Sequence, residues 1–277
     1  TLIKNLTVPF PPLPEQRTIA AILSKIQQAI EVQEKIIERT TELKKSLMAK
    51  LFTEGLHCEE LKETEIGLMP KSWEVVQLGN VCEVCSGFAF KSEDYTAEGI
   101  PIIKIGNLQD GNVGLSSDQS CFPKEMYDDS LRKYVLSTGD VLIAMTGATT
   151  GKVALVSKEL DGSLLNQRVG KFAVKDSGAF ELSFGMQYFV TSAFQKQIRD
   201  NILQSAQGNV SPKSIERMLI PLPELSEQKD IANVFERLDS KLGTATRKRQ
   251  VLQHLFKSML HQLMTGTIRV NNIELTP

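Results

Sequence analysis

The sequence predicts a mixed α/β protein, more narrowly α+β, with one globular domain set between two long amphipathic helices. Three observations predict it. A stretch near the start recurs near the end at a fixed offset. Each copy reads as a long helix. The segment between them breaks into short apolar runs separated by turn residues.

The recurrence is seen by placing Glu15-Gln16 on Glu227-Gln228, an offset of 212 residues that holds without a gap from Thr1/Lys213 to Thr53/Thr265. Ile3/Ile215, Pro9/Pro221, Pro11/Pro223, Leu13/Leu225, Ile19/Ile231, Ala20/Ala232, Leu43/Leu255 and Leu51/Leu263 are identical pairs. Solenoid units run about 20–50 residues, so this period marks a duplicated module rather than a repeat array.

Both copies open on prolines, "PFPPLP" and "PLPEL", which fix φ and remove backbone donors, so each is an extended lead-in. A stretch free of Gly and Pro follows, Glu15 to Glu54, with Gly55 as its stop. Its apolar residues include Ile19, Leu23, Ile26, Ile30, Leu43, Leu47 and Leu51, mostly at steps of three and four, which is one stripe of a helix. Such a helix is about 60 Å long. The second copy, Glu227 to Met264, places Ile231, Phe235, Leu238, Leu242, Leu255, Met259 and Leu263 on its stripe, with Gly243 as a weak point. A single amphipathic helix is not stable alone in water, so the two copies are expected to pair as a coiled coil. The outward faces, with Lys35, Arg39, Lys44, Arg247 and Arg249, are the places a partner would dock.

Residues 57–69 form a polar connector. Beyond it "WEVVQL", "IPIIKIGNL", "DVLIAMT", "KVALV" and "RVGKFAV" read as short strands, and "TAEG", "QDGN", "STGD" and "DGS" as turns. A helical stretch falls within residues 180–205. The middle is therefore a mixed domain of twisted sheet and helices.

The chain has 277 residues, 41% apolar and 23% charged, with a formal net charge of −1. This is ordinary globular composition, and a neutral total is compatible with a basic face. No run of about 18 apolar residues is present, so no membrane span is expected. "TGATTGKV" (Thr146–Val153) resembles a phosphate loop but has three residues between its glycines where the motif needs four, and Val153 after the lysine; it reads as a turn between strands. Cys82 and Cys85 form a C-x-x-C with no second ligand pair at useful spacing, so no metal is expected. His57, His254 and His261 all lie in or beside the helical copies, which leaves the middle domain without a histidine base. The pattern is that of a binder, not a catalyst. The loops "FAFKS", "KIGNLQDG", "TGATTGK", "NQRVGK" and "QSAQGNVSPKS" hold the residue types that bond phosphates and base edges. Solvated loops have the same composition. A coiled-coil scaffold with an inert globular insert remains the alternative.

Taken in order, these stretches resemble one family. "PLPEQRTIAAIL" and "PLPELSEQKDIANVF" look like the L-P-x-x-E-Q-x-x-I signature of Type I restriction-modification specificity subunits. "GLMPKSWEVVQLGNV" resembles the entry to their target recognition domains, and "IPIIKIGNL", "TGDVLIAMTGATTGKVAL", "LNQRV" and "GNVSPKSIERMLIPLP" resemble later landmarks. The resemblance covers essentially the whole chain. It implies residues 1–14 as the end of a first recognition domain, 15–56 as one conserved helix, 57–69 as connector, 70–226 as a complete recognition domain and 227–277 as the second conserved helix with a tail. It implies that the helices pair antiparallel as a spacer between two half-site readers. It also implies double-stranded DNA, two modification subunits and restriction subunits as partners, self-dimerisation for a half-length subunit, and a prokaryotic cytoplasmic location. S-adenosylmethionine and ATP would belong to the partner subunits, so no cofactor and no catalytic residue is expected here.

The candidate DNA-contacting residues are Lys91, Ser92, Lys104, Asn107, Gln109, Thr146, Thr149, Thr150, Lys152, Asn166, Gln167, Arg168, Gln207, Asn209 and Lys213. Those of "LNQRV" sit beside apolar neighbours, so a role in anchoring the fold is equally open for them.

Overall fold

The computed structural model describes residues 10–109, 111–204 and 208–270. The chain divides into two compact units, residues 1–46 with 235–277, and residues 47–234. The expected class forms. Helix α1 (Leu13–Glu54) starts two residues before Glu15, because Pro14 falls in its first turn, where a missing N–H costs nothing. Of the residues expected to end an earlier domain, 13 and 14 are therefore helical, and 1–9 lie outside the described residues.

The first unit is a helical pair. In α1 Ile19, Leu23, Ile26, Ile30, Gln33, Ile37, Thr40 and Lys44, all buried or half-buried, fall at alternating steps of four and three, with half-buried Ile22, Ala29 and Ile36 beside them. In the last helix of the chain Phe235, Leu238, Leu242, Ala245, Arg249, Leu252, Phe256, Met259 and Leu263 are buried or half-buried with the same alternation and in the same phase under the 212-residue offset, flanked by half-buried Asp239, Gly243, Thr246 and Gln262. This is the 3.5-residue period of a coiled-coil seam. Ile19 packs with Leu263 and Val270, while Lys44 Nζ donates to Asp239 Oδ1 at 2.6 Å. The start of each helix thus meets the end of the other, and the pair is antiparallel.

Two residues expected in the seam are not there. Leu43 and Leu255 are 49% and 44% exposed, because the seam runs through their neighbours Lys44 and Phe256. Lys44 and Arg249, expected on outward faces, are seam residues instead, and Arg249 Nε is buried without a hydrogen-bond partner. Gly243 does not interrupt the helix; a Cβ there would meet nothing.

The second unit is the α+β body. After α1, the connector forms a hairpin that periodicity does not suggest, β1 (Leu61–Thr64) against β2 (Gly67–Pro70). Next come β3 (Glu74–Gln77), α2 (Leu78–Val81), β4 (Cys82–Ser86), β5 (Ile100–Ile103), β6 (Gly111–Asn112), β7 (Cys121–Phe122), β8 (Val141–Ala144), β9 (Val153–Leu155), β10 (Leu164–Leu165) and β11 (Val169–Val174). The single expected helix within 180–205 is two, α3 (Leu182–Phe189) and α4 (Ser192–Gln204), followed by α5 (Pro212–Glu216), β12 (Leu219–Leu222) and α6 (Leu225–Met264). Five strands pair in the order β4-β11-β8-β9-β6 and three as β10-β5-β7; β12 pairs antiparallel with β3. Phe172 of β11 stacks on Phe189 at 4.4 Å, and Phe189 meets Phe194 at 4.9 Å, so α3 and α4 are held to the large sheet by aromatic rings. Leu47 is half-buried in this unit, and Leu51 and Ile231 are buried in it.

The repeated Glu-Gln pair ties the start of each long helix to neighbouring chain segments. In the second unit Glu227, buried, accepts from Trp73 Nε1 and from the backbone N–H of Leu56, both at 2.9 Å. Gly55 ends α1 at φ +65°, where a Cβ would lie 2.9 Å from Glu227 Oε1, so glycine is required on both counts. Gln228 donates to Pro223 O at 2.8 Å and Ala179 O at 3.0 Å and accepts from Glu181 N at 2.8 Å. In the first unit Glu15 accepts from Arg269 Nε and Nη2 at 2.7 Å each and from Val270 N at 3.2 Å, and Gln16 Nε2 donates to Pro11 O at 2.8 Å. One sequence pair thus performs one task twice, with Arg269 where the other copy has Trp73.

The Arg269 guanidinium holds the Glu15 carboxyl below its ordinary value of 4.5. Stability from this contact is therefore present above pH 4.5 and is lost as the pH falls through the lower folded-state value. Acid titration followed by circular dichroism should show that loss in the parent and a smaller one in Glu15→Gln. Glu227→Ala should lower stability by about 2–4 kcal/mol, read as the urea midpoint, because the buried Trp73 indole and the half-buried Leu56 N–H lose their acceptor.

Candidate nucleic-acid interface

The second unit brings five separated segments together. Met145, just after β8, donates its N–H to Arg168 O at 3.0 Å and accepts from Val210 N at 2.9 Å. Asn166 N donates to Ile103 O at 3.0 Å, which ties the 166–168 segment to the end of β5. Phe88 N donates to Leu165 O and accepts from Gln167 N, both at 2.8 Å. Thr149 Oγ1 reaches Ile105 O at 3.5 Å. The segments around 87–88, 104–107, 145–151, 166–168 and 208–210 are therefore joined to one another, and the exposed residues they carry make up the candidate surface.

Gly87 makes the approach of the first segment feasible. A Cβ there would sit 2.1 Å from Leu165 O, so no side chain fits. The 146–151 segment is the expected turn between strands: Gly151 N donates to Ala144 O at 2.8 Å, Ala144 N to Lys152 O at 2.9 Å, and Gly147 and Gly151 both have positive φ. Gln195 of α4 buttresses it by donating to Gly151 O at 2.8 Å.

The candidate residues divide by what their polar atoms already do. Asn107 is buried; its Oδ1 accepts from Lys104 N at 2.9 Å and its Nδ2 donates to Gly114 O and Gln119 Oε1 at 3.0 and 2.7 Å. Asn166 is buried and accepts from Arg168 N at 3.2 Å. Thr150 Oγ1 donates to Gly147 O at 2.7 Å. These bonds hold the loops: Asn107 and Asn166 are buried, whereas Thr150 is half-buried and its bond lies at the exposed surface. Lys104 is half-buried, donates to Ser120 Oγ at 2.6 Å and lies 4.9 Å above the Tyr95 ring.

Lys213 extends from α5 and pairs with Glu216 Oε2 at 2.7 Å. Burial pushes the Glu216 carboxyl up, but the Lys213 ammonium and the Val84 N–H outweigh it and hold it below the ordinary value, while the carboxylate raises Lys213. That pair fixes α5 against β4. Lys91 and Ser92 are exposed at the start of a short 3₁₀ turn (Ser92–Asp94), Lys91 pairing with Glu93 at 3.5 Å, and Gln109 is exposed at the tip of its own loop. None of Lys91, Ser92, Gln109 or Lys213 makes a contact described above with the candidate surface. Gln207 lies outside the described residues.

The exposed candidates on this surface are Gln167, Arg168 and Lys152, with Thr149 and Asn209 half-buried beside them. Thr146 Oγ1 is buried there with no hydrogen-bond partner. Phe88, 37% exposed, and the exposed Gly106 and Ala148 also lie on it and are not singled out by sequence. The flanking glycine of "SGFAF" is the available signal for Phe88. The C-x-x-C pair does not add chemistry: burial pushes the Cys82 thiol up to about 12 and raises Cys85 as well, which disfavours the thiolates.

Comparison with known proteins bears on this surface. A family model for the Type I restriction modification DNA specificity domain matches residues 1–42 and 70–254. The MjaVIII specificity subunit of Methanocaldococcus jannaschii is 30% identical over 276 residues, 98% of this chain and 64% of that protein. The EcoAI specificity subunit of Escherichia coli is 28% identical over 199 residues, 70% of this chain and 32% of that protein. Among solved structures, the S subunit from M. genitalium matches with a TM-score of 0.61 at 17% identity, covering 95% of this chain and 62% of that one. The HsdS subunit from Thermoanaerobacter tengcongensis matches with a TM-score of 0.55 at 19% identity over 94% and 61%. At these identities the structures show a shared fold. The chain spans about three fifths of the length of the relatives that match it end to end.

Asn107→Ala should cost about 1–3 kcal/mol by thermal denaturation, since it strands a buried amide network. Arg168→Ala should change stability by no more than about 0.5 kcal/mol.

Proposed function

Because the chain belongs to the family of Type I restriction-modification DNA specificity domains, we propose that its second unit reads one half of a bipartite site in double-stranded DNA. The observation that supports this most is the convergence of five segments on one surface whose displayed side chains are Gln, Arg, Lys, Thr and Asn. Arg168 and Lys152 suit phosphates, and Gln167 and Arg168 suit base edges, where a bidentate pair discriminates by about 1–3 kcal/mol. A scaffold with an inert globular body leaves this convergence unexplained.

The partners belong to the same reading. Two modification subunits dock on the paired helices and bring adenine N6-methylation with S-adenosylmethionine. Restriction subunits bring ATP-driven cleavage. The specificity chain contributes recognition and spacing, with no catalytic group of its own. A helix of about 60 Å corresponds to roughly 18 base pairs of DNA, an upper bound on the unread gap it could set. A second reader for the other half-site comes either from the remainder of a longer chain or from a second copy.

The test is methylation mapping. The chain is combined with the modification subunit of the same system and S-adenosylmethionine, and methylated adenines are located by single-molecule sequencing. A methylated motif that vanishes when the chain is omitted supports the reading; silence of this chain while the full-length product methylates means that it lacks the other half, and a stable complex of the full-length product that methylates no motif defeats the reading. In parallel, Arg168→Ala should weaken duplex binding and, if Arg168 meets a phosphate, reduce the magnitude of the slope of log affinity against log salt by about one. An unchanged affinity and slope would remove Arg168 from the interface.

A further inference from the structure

Among the described residues of the second unit, Phe88 is the one exposed aromatic. A single exposed apolar side chain is ordinary at a protein surface. This one differs in how firmly it is held. Its N–H donates to Leu165 O and its C=O accepts from Gln167 N, both at 2.8 Å, which sets it opposite Asn166 in a parallel bridge. Gly87 closes on Leu165 without room for a Cβ. The Phe88 ring meets Phe90 at 4.9 Å, edge to face, and Tyr134 at 5.4 Å. Phe90 is buried, meets Phe122 at 5.1 Å and belongs to a core cluster with Ile102, Leu131 and Leu164. The Phe88 ring is therefore the outer end of a row of aromatic contacts that runs into the core and holds it in one orientation.

Gln167, exposed, stands one residue beyond Asn166. Paired segments lie about 4.8 Å apart and stacked base pairs about 3.4 Å, so a duplex met by Gln167 brings the same or the next base pair to Phe88. A glutamine amide matches the N6/N7 edge of adenine, and the apolar group that a base pair presents in the major groove is the thymine C5-methyl. Beyond Tyr134 the surface turns basic: Lys133, exposed, lies 5.0 Å over the Tyr134 ring, and Arg132 beside it is exposed too. These cations suit the phosphates that border a groove. A wedge driven between bases needs a protruding side chain with both faces free. Phe88 has Phe90 and Tyr134 packed against it, so it offers a fixed apolar patch instead.

We infer that Phe88 is a specificity residue: the exposed part of its ring meets the C5-methyl group of a thymine, in the base pair that Gln167 reads or the one beside it. The inference rests on the function proposed above and deepens it, by placing an A·T pair in the half-site that this unit reads.

The experiment uses the complex and the motif identified by methylation mapping. Each thymine of the motif is replaced in turn by deoxyuridine, which keeps its pairing and lacks only the methyl, and duplex affinity is measured. For the parent, one position should lose about fourfold, the worth of one buried methyl group. Phe88→Ala, checked for folding by thermal denaturation, should bind thymine and uracil at that position alike. A duplex with 5-bromodeoxyuridine there needs no variant: irradiation should join the DNA to the peptide that holds Phe88, read by mass spectrometry. A motif without thymine, a parent indifferent to every thymine methyl, or a cross-link to another peptide overturns the inference. A methyl effect that persists in folded Phe88→Ala overturns it too. So does 2-aminopurine fluorescence that rises on binding of the parent and not of Phe88→Ala, since the ring would then enter the base stack. A parent complex that favours no sequence defeats the functional reading itself; a sequence-specific parent with no thymine effect defeats only this inference.

Discussion

The arrangement depends on a buried carboxylate placed at the start of each long helix. Glu227 gathers an indole N–H and the first backbone N–H beyond Gly55 at the end of α1. Glu15 gathers a guanidinium and a backbone N–H beyond α6. A carboxylate with four lone-pair sites can bind a side chain and a chain end at once, which an amide cannot do as strongly. The adjacent glutamine then pins the proline lead-in, so the helix cannot unwind toward its N-terminus. Two residues thereby fix where one helix begins relative to where the other ends.

That constraint bears on the seam. A uniformly leucine seam pairs nearly as well when slipped by one heptad. Here Gln33, Thr40 and Lys44 interrupt it in α1 and Arg249 in α6. Only a register that offers Asp239 to Lys44 satisfies the ammonium, so the polar positions disfavour slipped pairings that the apolar ones would tolerate. The proposed role as a spacer requires one length, and the clamps and the polar layers both act to give one.

Much of the fold is legible in the sequence because it repeats. The offset marks both helices, and short apolar runs between turn residues locate β3, β5, β8, β9 and β11. The hairpin β1–β2 is hidden since its residues, "LKET" and "GLMP", lack alternation and are held by backbone pairing instead. The seam lies one position away from the expected phase at Leu43 and Leu255. Apolar identity marks a stripe about 100° wide, and which edge of it faces inward depends on the partner. In the candidate site, residue type identifies the right loops but not the roles within them. Asn107 and Gln109 are both polar residues of one loop, yet the amide of the first is wholly used by Lys104, Gly114 and Gln119.

The reading role proposed for this surface demands such a division of labour. A side chain can recognise a base edge only if its own donors and acceptors are not already satisfied within the protein, while the loop carrying it must be rigid enough to present it in one place. Rigidity requires other polar groups to be fully committed. The Asn107 amide makes three such bonds, and Asn166 and Thr150 make one each within the loops that carry the candidate surface. Gly87 lets the Phe88 segment close against that backbone, where any Cβ would force it away. Substituting a framework amide should therefore degrade recognition at several bases together, whereas substituting Gln167 should alter it at one.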